Sequence, residues 1–167
     1  MFHLLVKLLK VLNSEDSPAQ IAWAICFAAV LGLTPLLSLH NIIILFLVMF
    51  LRVNLSAFIL FSFLFAGVAY LLDPLFHSLG YQVLNTNALN GLWTALYNTS
   101  IGRLSSFNNT LVMGSLVVAM LAWIPLYFIA LSGIAHYRRK FLPWVKKSHL
   151  MGVLKTSKFY RIYESLS

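Results

Sequence analysis

Residues 19–54, AQIAWAICFAAVLGLTPLLSLHNIIILFLVMFLRVN, form an apolar stretch that is broken in its middle. The stretch carries no charged residue before Arg52, but residues 32–35 (GLTP) interrupt it, and His40 and Asn41 follow. Unbroken, it would be much longer than the roughly 20 residues that a membrane-spanning helix needs. The break therefore predicts two short apolar helices joined by a polar turn, which lipid tolerates only where protein or water covers the turn.

The two arms of this hairpin are short. Each has about 13–15 residues, or about 20–23 Å at 1.5 Å per residue, whereas the hydrocarbon core of a bilayer is about 30 Å thick. The pair is therefore either a re-entrant hairpin or two short, tilted crossings. Gly32 and Pro35 form its structural hinge, because glycine permits the bend and proline lacks the amide donor. Ser17 begins the first arm with a capping box, and Ser38 can cap the second.

The composition indicates one small membrane domain. The chain has 167 residues, of which 60% are hydrophobic and 10% charged, and its mean hydropathy is +0.86. A soluble domain has about 25% charged residues. The formal net charge of +8 comes from basic residues beside apolar segments, so we expect anionic lipid headgroups as partners and no nucleic acid. The single cysteine, Cys26, excludes a disulfide within the chain and a cysteine-based zinc site.

We predict an all-α integral membrane protein: a broken helix hairpin plus two transmembrane helices, with amphipathic interfacial helices at both termini and in the outer loop. Asp73-Pro74 is expected to end the first transmembrane helix, and Pro125 to kink the second. Gly114, Ser115, Ala119 and Ala122 give the second a face of small residues. The predicted segments are an interfacial helix at 1–16, a membrane core at 17–135 with transmembrane helices at 55–72 and 110–135 and outer helices at 75–85 and 88–98, and a basic cytoplasmic helix at 136–167.

The charge pattern predicts the topology. Both ends of the chain are basic, which predicts that both termini lie on the cytoplasmic side of the membrane. The number of crossings is then even, so residues 19–51 cross either twice or not at all. Residues 73–108 face outward in both cases.

Five residues near the break are candidates for lipid or ligand binding. Arg52 can bind a phosphate or act as a positive anchor at the interface. His40 and Asn41 can bind a polar ligand or relay protons, or else satisfy backbone groups freed at the turn. Thr34 and Asn54 are expected mainly to fill the turn and cap a helix.

A second set of candidates lies in the outer region, where aromatic and amide side chains can dock a partner or form an interfacial belt. Asp73 is about 31 Å from Arg52 along one helix, so Arg103 is its better ion-pair partner. The partner-contact candidates are Asp73, His77, Trp93, Tyr97, Asn98, Arg103, Asn108 and Asn109.

No catalytic constellation is present in the sequence. It has no glycine-rich phosphate loop, no H-E-x-x-H and no G-x-S-x-G, and it holds four acidic residues in all. We therefore expect no enzyme, no cofactor and no metal site.

The motifs resemble a domain-of-unknown-function family of small bacterial inner-membrane proteins, over nearly the whole chain. They are residues 32–35 (GLTP), 39–41 (LHN), 51–56 (LRVNLS), 73–77 (DPLFH) and 92–99 (LWTALYNT). The family pattern falls on Gly32, Pro35, His40, Arg52 and Asn54. No activity follows from this resemblance, but it implies an envelope role beside a large elongated protein that carries lipid across the envelope.

Two functions remain open from the sequence. The first is a non-enzymatic inner-membrane subunit that anchors or gates a larger cell-envelope assembly in lipid transport, with a larger membrane-anchored envelope protein as its partner. The alternative is a small oligomeric transporter or channel with a polar site at the broken hairpin.

Overall fold

In a computed structural model, residues 8, 11, 12 and 14–141 are the part of the chain that the structure describes; they form helices joined by turns, with no strand among them. The predicted interfacial helix at 1–16 lies largely outside the described residues, as does the basic segment after residue 141. The helices are α1 (Pro18–Leu33), α2 (Leu39–Phe50), α3 (Leu55–Leu84), α4 (Asn90–Tyr97), α5 (Ser100–Leu104) and α6 (Thr110–His136), with a 3-10 turn at Asn87–Leu89 and a π turn at Tyr137–Phe141.

Three helices form the bundle, because α1, α3 and α6 pack against one another in pairs. The central member is α1, which is buried along most of its length. By contrast, α2 contacts chiefly α1 and buries a single line of side chains, Asn41, Ile44 and Val48. The hairpin predicted from the broken stretch is therefore present, with one arm inside the bundle and the other outside it.

Local sequence signals place most helix starts correctly. Ser17 and Gln20 form the predicted capping box at the start of α1. Asn54 caps α3 through a 2.6 Å bond from the Ala57 amide, and Asn109 caps α6. Ser38 occupies the N-cap position of α2 but makes no capping bond, and its hydroxyl donates instead to the Pro35 carbonyl at 2.6 Å. The predicted cap at Ser38 is therefore wrong.

The predicted end of the first transmembrane helix at Asp73-Pro74 is also wrong, since this helix, α3, continues through both residues to Leu84. A proline inside a helix removes one backbone hydrogen bond and crowds the preceding turn. Packing beyond the proline compensates, because Phe76 and Gly80 are buried against α6. The separate outer helix predicted at 75–85 is thus the last part of α3, whereas the one predicted at 88–98 is present as α4.

The small-residue face of α6 is confirmed as a contact between helices. Gly114, Ser115 and Ala119 are buried, and the Gly114 backbone lies directly against the backbone of Phe76 and Gly80 in α3. Small residues permit helices to approach this closely because no side chain separates them.

Two of the described helices, α3 and α6, are long and apolar enough to cross a membrane. At 1.5 Å per residue, the 30 residues of α3 extend about 45 Å and the 27 residues of α6 about 40 Å. Both lengths exceed the hydrocarbon thickness of about 30 Å. The arms of the hairpin are shorter, with 16 residues in α1 and 12 in α2.

Candidate functional site

The turn of the hairpin is closed by its own polar side chains. Asn41 is 1% exposed, and its amide donates to the Pro35 carbonyl at 2.9 Å and to the Leu36 carbonyl at 3.4 Å. The Thr34 hydroxyl lies 2.7 Å from the Val30 carbonyl and 3.1 Å from Oδ1 of Asn41. Buried backbone groups at a break need such partners. Thr34 and Asn41 thus satisfy the turn and each other.

His40 differs from its neighbour Asn41. Its Nε2 atom is buried and has no hydrogen-bond partner among the described residues. A buried polar atom without a partner is costly, so it marks a place where a further group can bind. Of the polar side chains predicted at the break, His40 alone keeps an unused buried atom in the described part of the chain.

The hairpin ends about a third of the way along α3. A Cβ atom placed on Gly32 would lie 2.6 Å from the Ser62 carbonyl and 3.1 Å from the Ala66 amide, so the two backbones touch there. Ser62 and Ala66 are 7 and 11 residues beyond Leu55, or about 10 and 16 Å along a helix of about 45 Å. The turn therefore does not reach the far end of the bundle.

Beside the turn, a cleft of about 660 Å³ lies between the hairpin, α3 and α6. We call it the hairpin cleft. Its volume is within the usual range for ligand pockets. Its walls are mostly apolar, and its polar side chains are Thr34, Ser62, Tyr70, Asp73 and Ser115.

Asp73 lies at one end of the hairpin cleft, far along α3 from the turn. It is half-buried, and its side chain makes no hydrogen bond or ion pair with any residue that the structure describes. Arg103, the partner expected from the sequence, is exposed and unpaired within the same residues. The expected ion pair is therefore wrong. Because α3 does not end at Asp73, this residue lies within the helical segment, where it lines the cleft.

The first and last segments that the structure describes meet at one end of the bundle, which we call the basal end and define by residues 14–16, Asn54 and Arg138. The Asn54 amide donates to Oδ2 of Asp16 at 2.6 Å and to Ser14 Oγ at 3.3 Å. The Arg138 guanidinium donates to the carbonyls of Leu12, Asp16 and Ser14 at 2.7, 2.7 and 2.8 Å. Asn54 is thus a link between segments as well as a cap.

Sequence reasoning missed the role of Arg138, which it grouped with the basic interfacial residues. Its partners are backbone carbonyls more than 120 residues away in the chain, and backbone acceptors leave no pattern in a sequence. The Arg52 side chain is exposed and has no hydrogen-bond partner among the described residues, and its role as a phosphate ligand or a positive anchor stays a prediction. Arg52, Arg138, Arg139 and Lys140 all belong to the basal end or adjoin it.

The opposite, distal end of the bundle is defined by the Gly80–Gly114 contact and residues 85–109. Trp93 packs against Phe107 with ring centroids 5.8 Å apart, and its indole donates to the Val83 carbonyl at 3.3 Å. A second cavity of about 340 Å³, the distal groove, lies beside them. It brings together four of the predicted partner-contact residues: Trp93, Tyr97, Asn98 and Asn108.

The remaining predicted contact residues lie outside the distal groove. His77 Nδ1 is 2.7 Å from the Thr110 hydroxyl, where α3 crosses α6. Asn109 caps α6 with hydrogen bonds from the Leu111 and Val112 amides. Arg103 is exposed on α5.

Comparison with known proteins gives a family but no activity. The sequence model of a family described as "Uncharacterized protein conserved in bacteria (DUF2062)" matches residues 4–142. The chain is also 28% identical, over 157 residues, to an uncharacterized protein of Treponema pallidum (strain Nichols), covering 94% of this chain and 97% of that relative. No solved structure matches.

Proposed function

The chain belongs to the bacterial DUF2062 family, and we propose that it is a non-enzymatic subunit of the inner membrane. It anchors or gates a larger cell-envelope assembly that transports lipid. Its hairpin enters and leaves the membrane on the cytoplasmic side, and α3 and α6 cross it. The basal end, with its basic residues, faces the cytoplasm.

The surface of α2 is the observation that carries this proposal. Seven large apolar side chains of α2 are exposed, and so is the side chain of Leu51, which directly follows the helix. The eight residues are Ile42, Ile43, Leu45, Phe46, Leu47, Met49, Phe50 and Leu51. A soluble monomer rarely exposes an apolar patch of more than a few hundred Å². Lipid covers such a surface without cost, and the neighbouring Arg52 then lies at headgroup level.

The position of the turn supports a gating role. Gly32 contacts Ser62 and Ala66 about 10–16 Å along α3. With Leu55 at the cytoplasmic boundary of a hydrocarbon core of about 30 Å, the turn lies near the middle of the bilayer. A re-entrant hairpin of this depth fills one leaflet and leaves the other open above it. In this arrangement the part of the hairpin cleft between the turn and Asp73 lies in that second half.

The exposed residues of the distal end support the proposal that a partner protein binds there. Residues 85–109 are mostly exposed, and among them only Gly102 is buried. Aromatic residues such as Trp93 and Tyr97 are enriched at interfaces, where they supply most of the binding energy. The distal groove offers both side chains beside the amides of Asn98 and Asn108.

Affinity purification from native membranes after gentle solubilisation tests the subunit role. We expect a large membrane-anchored envelope protein to co-purify in stoichiometric amount. Tyr97→Ala should reduce that yield, because Tyr97 is 51% exposed in the distal groove. Tyr81→Ala is the matched control, since Tyr81 is 58% exposed on α3 and does not line the groove.

A small oligomeric transporter or channel is the second candidate function. The observation that favours it is the unpartnered Nε2 of His40 beside the turn. A lone homo-oligomer that passes solute in liposomes, with no partner in the purification, would establish this alternative and overturn the subunit role.

A further inference from the structure

The part of the hairpin cleft beyond the turn has the depth of one leaflet. From Ser62, beside the turn, to Asp73 is 11 residues of α3, or about 16 Å. Half of a hydrocarbon core of about 30 Å is about 15 Å. With α3 across a bilayer, this part of the cleft runs from the turn, near the midplane, to Asp73, near the outer boundary. Leu45, Phe58 and Ile59 line the other end of the cleft, beside the turn.

The chemistry of the lining changes along this depth. Apolar side chains such as Phe63 and Ala66 form the walls, whereas Tyr70 and Asp73 lie together towards the outer end. An acidic group in a membrane segment needs a cation or a proton as its partner. Asp73 has no such partner among the described residues, and no lysine, arginine or histidine lines the cleft.

We propose that the hairpin cleft binds one acyl chain of a phospholipid whose headgroup carries an ammonium group, with that ammonium against Asp73. Phosphatidylethanolamine represents this class. The carboxylate disfavours a purely anionic headgroup such as phosphatidylglycerol. The inference rests on the proposed function only for the placement of α3 across a membrane. The outer end of the cleft then prefers a headgroup with an ammonium group, whereas Arg52 prefers an anionic headgroup.

Lipid retention by the purified full-length chain tests the proposal. Native mass spectrometry follows equilibration with equal amounts of phosphatidylethanolamine and phosphatidylglycerol. We expect the wild type to retain phosphatidylethanolamine in about tenfold excess, the ratio given by one charge-assisted contact. Asp73→Asn should abolish the preference, and Asp73→Glu should keep it.

Filling the cleft provides a second test that does not depend on charge. Ala66→Trp places a large ring among the lining residues and should abolish retention of the acyl chain. Val68→Trp is the matched control, because Val68 is 43% exposed on the same helix outside the cleft. The thermal midpoints of both variants establish that they fold.

Four results would overturn the proposal. Two concern charge: equal retention of both lipids by the wild type, and an unchanged preference in Asp73→Asn. Two concern the cleft: equal displacement of lipid by both tryptophan variants, and a dimer that Ala66→Trp alone disrupts, since a second copy of the chain would then fill the cleft. Retention is measured on the isolated chain. A missing envelope partner would therefore count against the subunit role alone, and a captured partner with no lipid preference would count against this inference alone.

Discussion

Gly80 and Gly114 lie against each other where α3 crosses α6, and neither position has room for a side chain. A Cβ atom on Gly80 would collide with the Thr110 carbonyl, and one on Gly114 would collide with the Phe76 carbonyl. The contact is between backbones, which cannot rotate aside as a side chain can. It holds together the distal halves of the two long helices.

Gly114→Ala should therefore lower the free energy of unfolding by about 3 kcal/mol, since overpacking at a rigid contact forces the helices apart. Gly133 is on the same helix and has open space around it. Gly133→Ala should therefore not lower the free energy of unfolding, and the alanine should raise the helix propensity. Thermal and denaturant unfolding in detergent measure both. Equal stability of the two variants would show that the crossing tolerates a methyl group.

Arg138→Gln should release the N-terminal turn from the bundle. It removes three charge-assisted hydrogen bonds to carbonyls of residues 12–16, and we expect a loss of about 2 kcal/mol. Amide hydrogen exchange in residues 14–20 should accelerate. Arg139→Gln is the matched control, because it removes the same charge from an exposed position. Equal acceleration in both variants would indicate a general charge effect.

Thr34 and Asn41 should show coupled energies, since their side chains are 3.1 Å apart and buried. Thr34→Val and Asn41→Leu each leave backbone or side-chain groups at the turn without a partner. In a double-mutant cycle on unfolding we expect a coupling of about 1 kcal/mol. Strictly additive losses would mean that the two side chains support the turn independently.

Leu36 provides a test of the re-entrant hairpin, because it is 73% exposed at the turn. On a Cys26→Ala background, Leu36→Cys should not react from outside the cell with a membrane-impermeant maleimide. Ser78→Cys, on the distal part of α3, should react from outside, and Arg52→Cys should react only from the cytoplasm. Reaction of Leu36→Cys from outside would show that the hairpin crosses the membrane twice.

Arg52→Gln should reduce the retention of anionic lipid about fivefold, the effect of roughly 1 kcal/mol for one basic side chain at the membrane surface. Arg103→Gln removes an equally exposed charge at the distal end and serves as the control. Native mass spectrometry with phosphatidylglycerol measures both. Unchanged retention in Arg52→Gln would leave this arginine as a positive anchor without a bound lipid.

The features predicted correctly from the sequence depend on neighbouring residues. The break at residues 32–35, the capping box at Ser17 and the small-residue face of α6 are all local patterns, and the structure contains each of them. The path of α3 through Pro74 was not predictable in this way. It depends on the burial of Gly80 against α6, and that contact joins segments that the sequence places 34 residues apart.

The candidate site shows the same division. The alternatives for Asn41 included repair of the turn, and the structure shows its hydrogen bonds to the turn. The hairpin cleft was not predicted, because it depends on where the hairpin stops along α3. Asp73 was assigned to the outer loop for the same reason: a helix that ends there would leave it at the surface.

The bonds from Arg138 to the N-terminal turn also determine the order in which the protein is completed. The turn leaves the ribosome before the side chain that fixes it, which lies 122–126 residues later in the chain. Until Arg138 has been synthesised, the carbonyls of Leu12, Ser14 and Asp16 lack the guanidinium that holds them. The hairpin base is therefore locked only after α6 has been made, and a nascent chain that stops before Arg138 leaves it open.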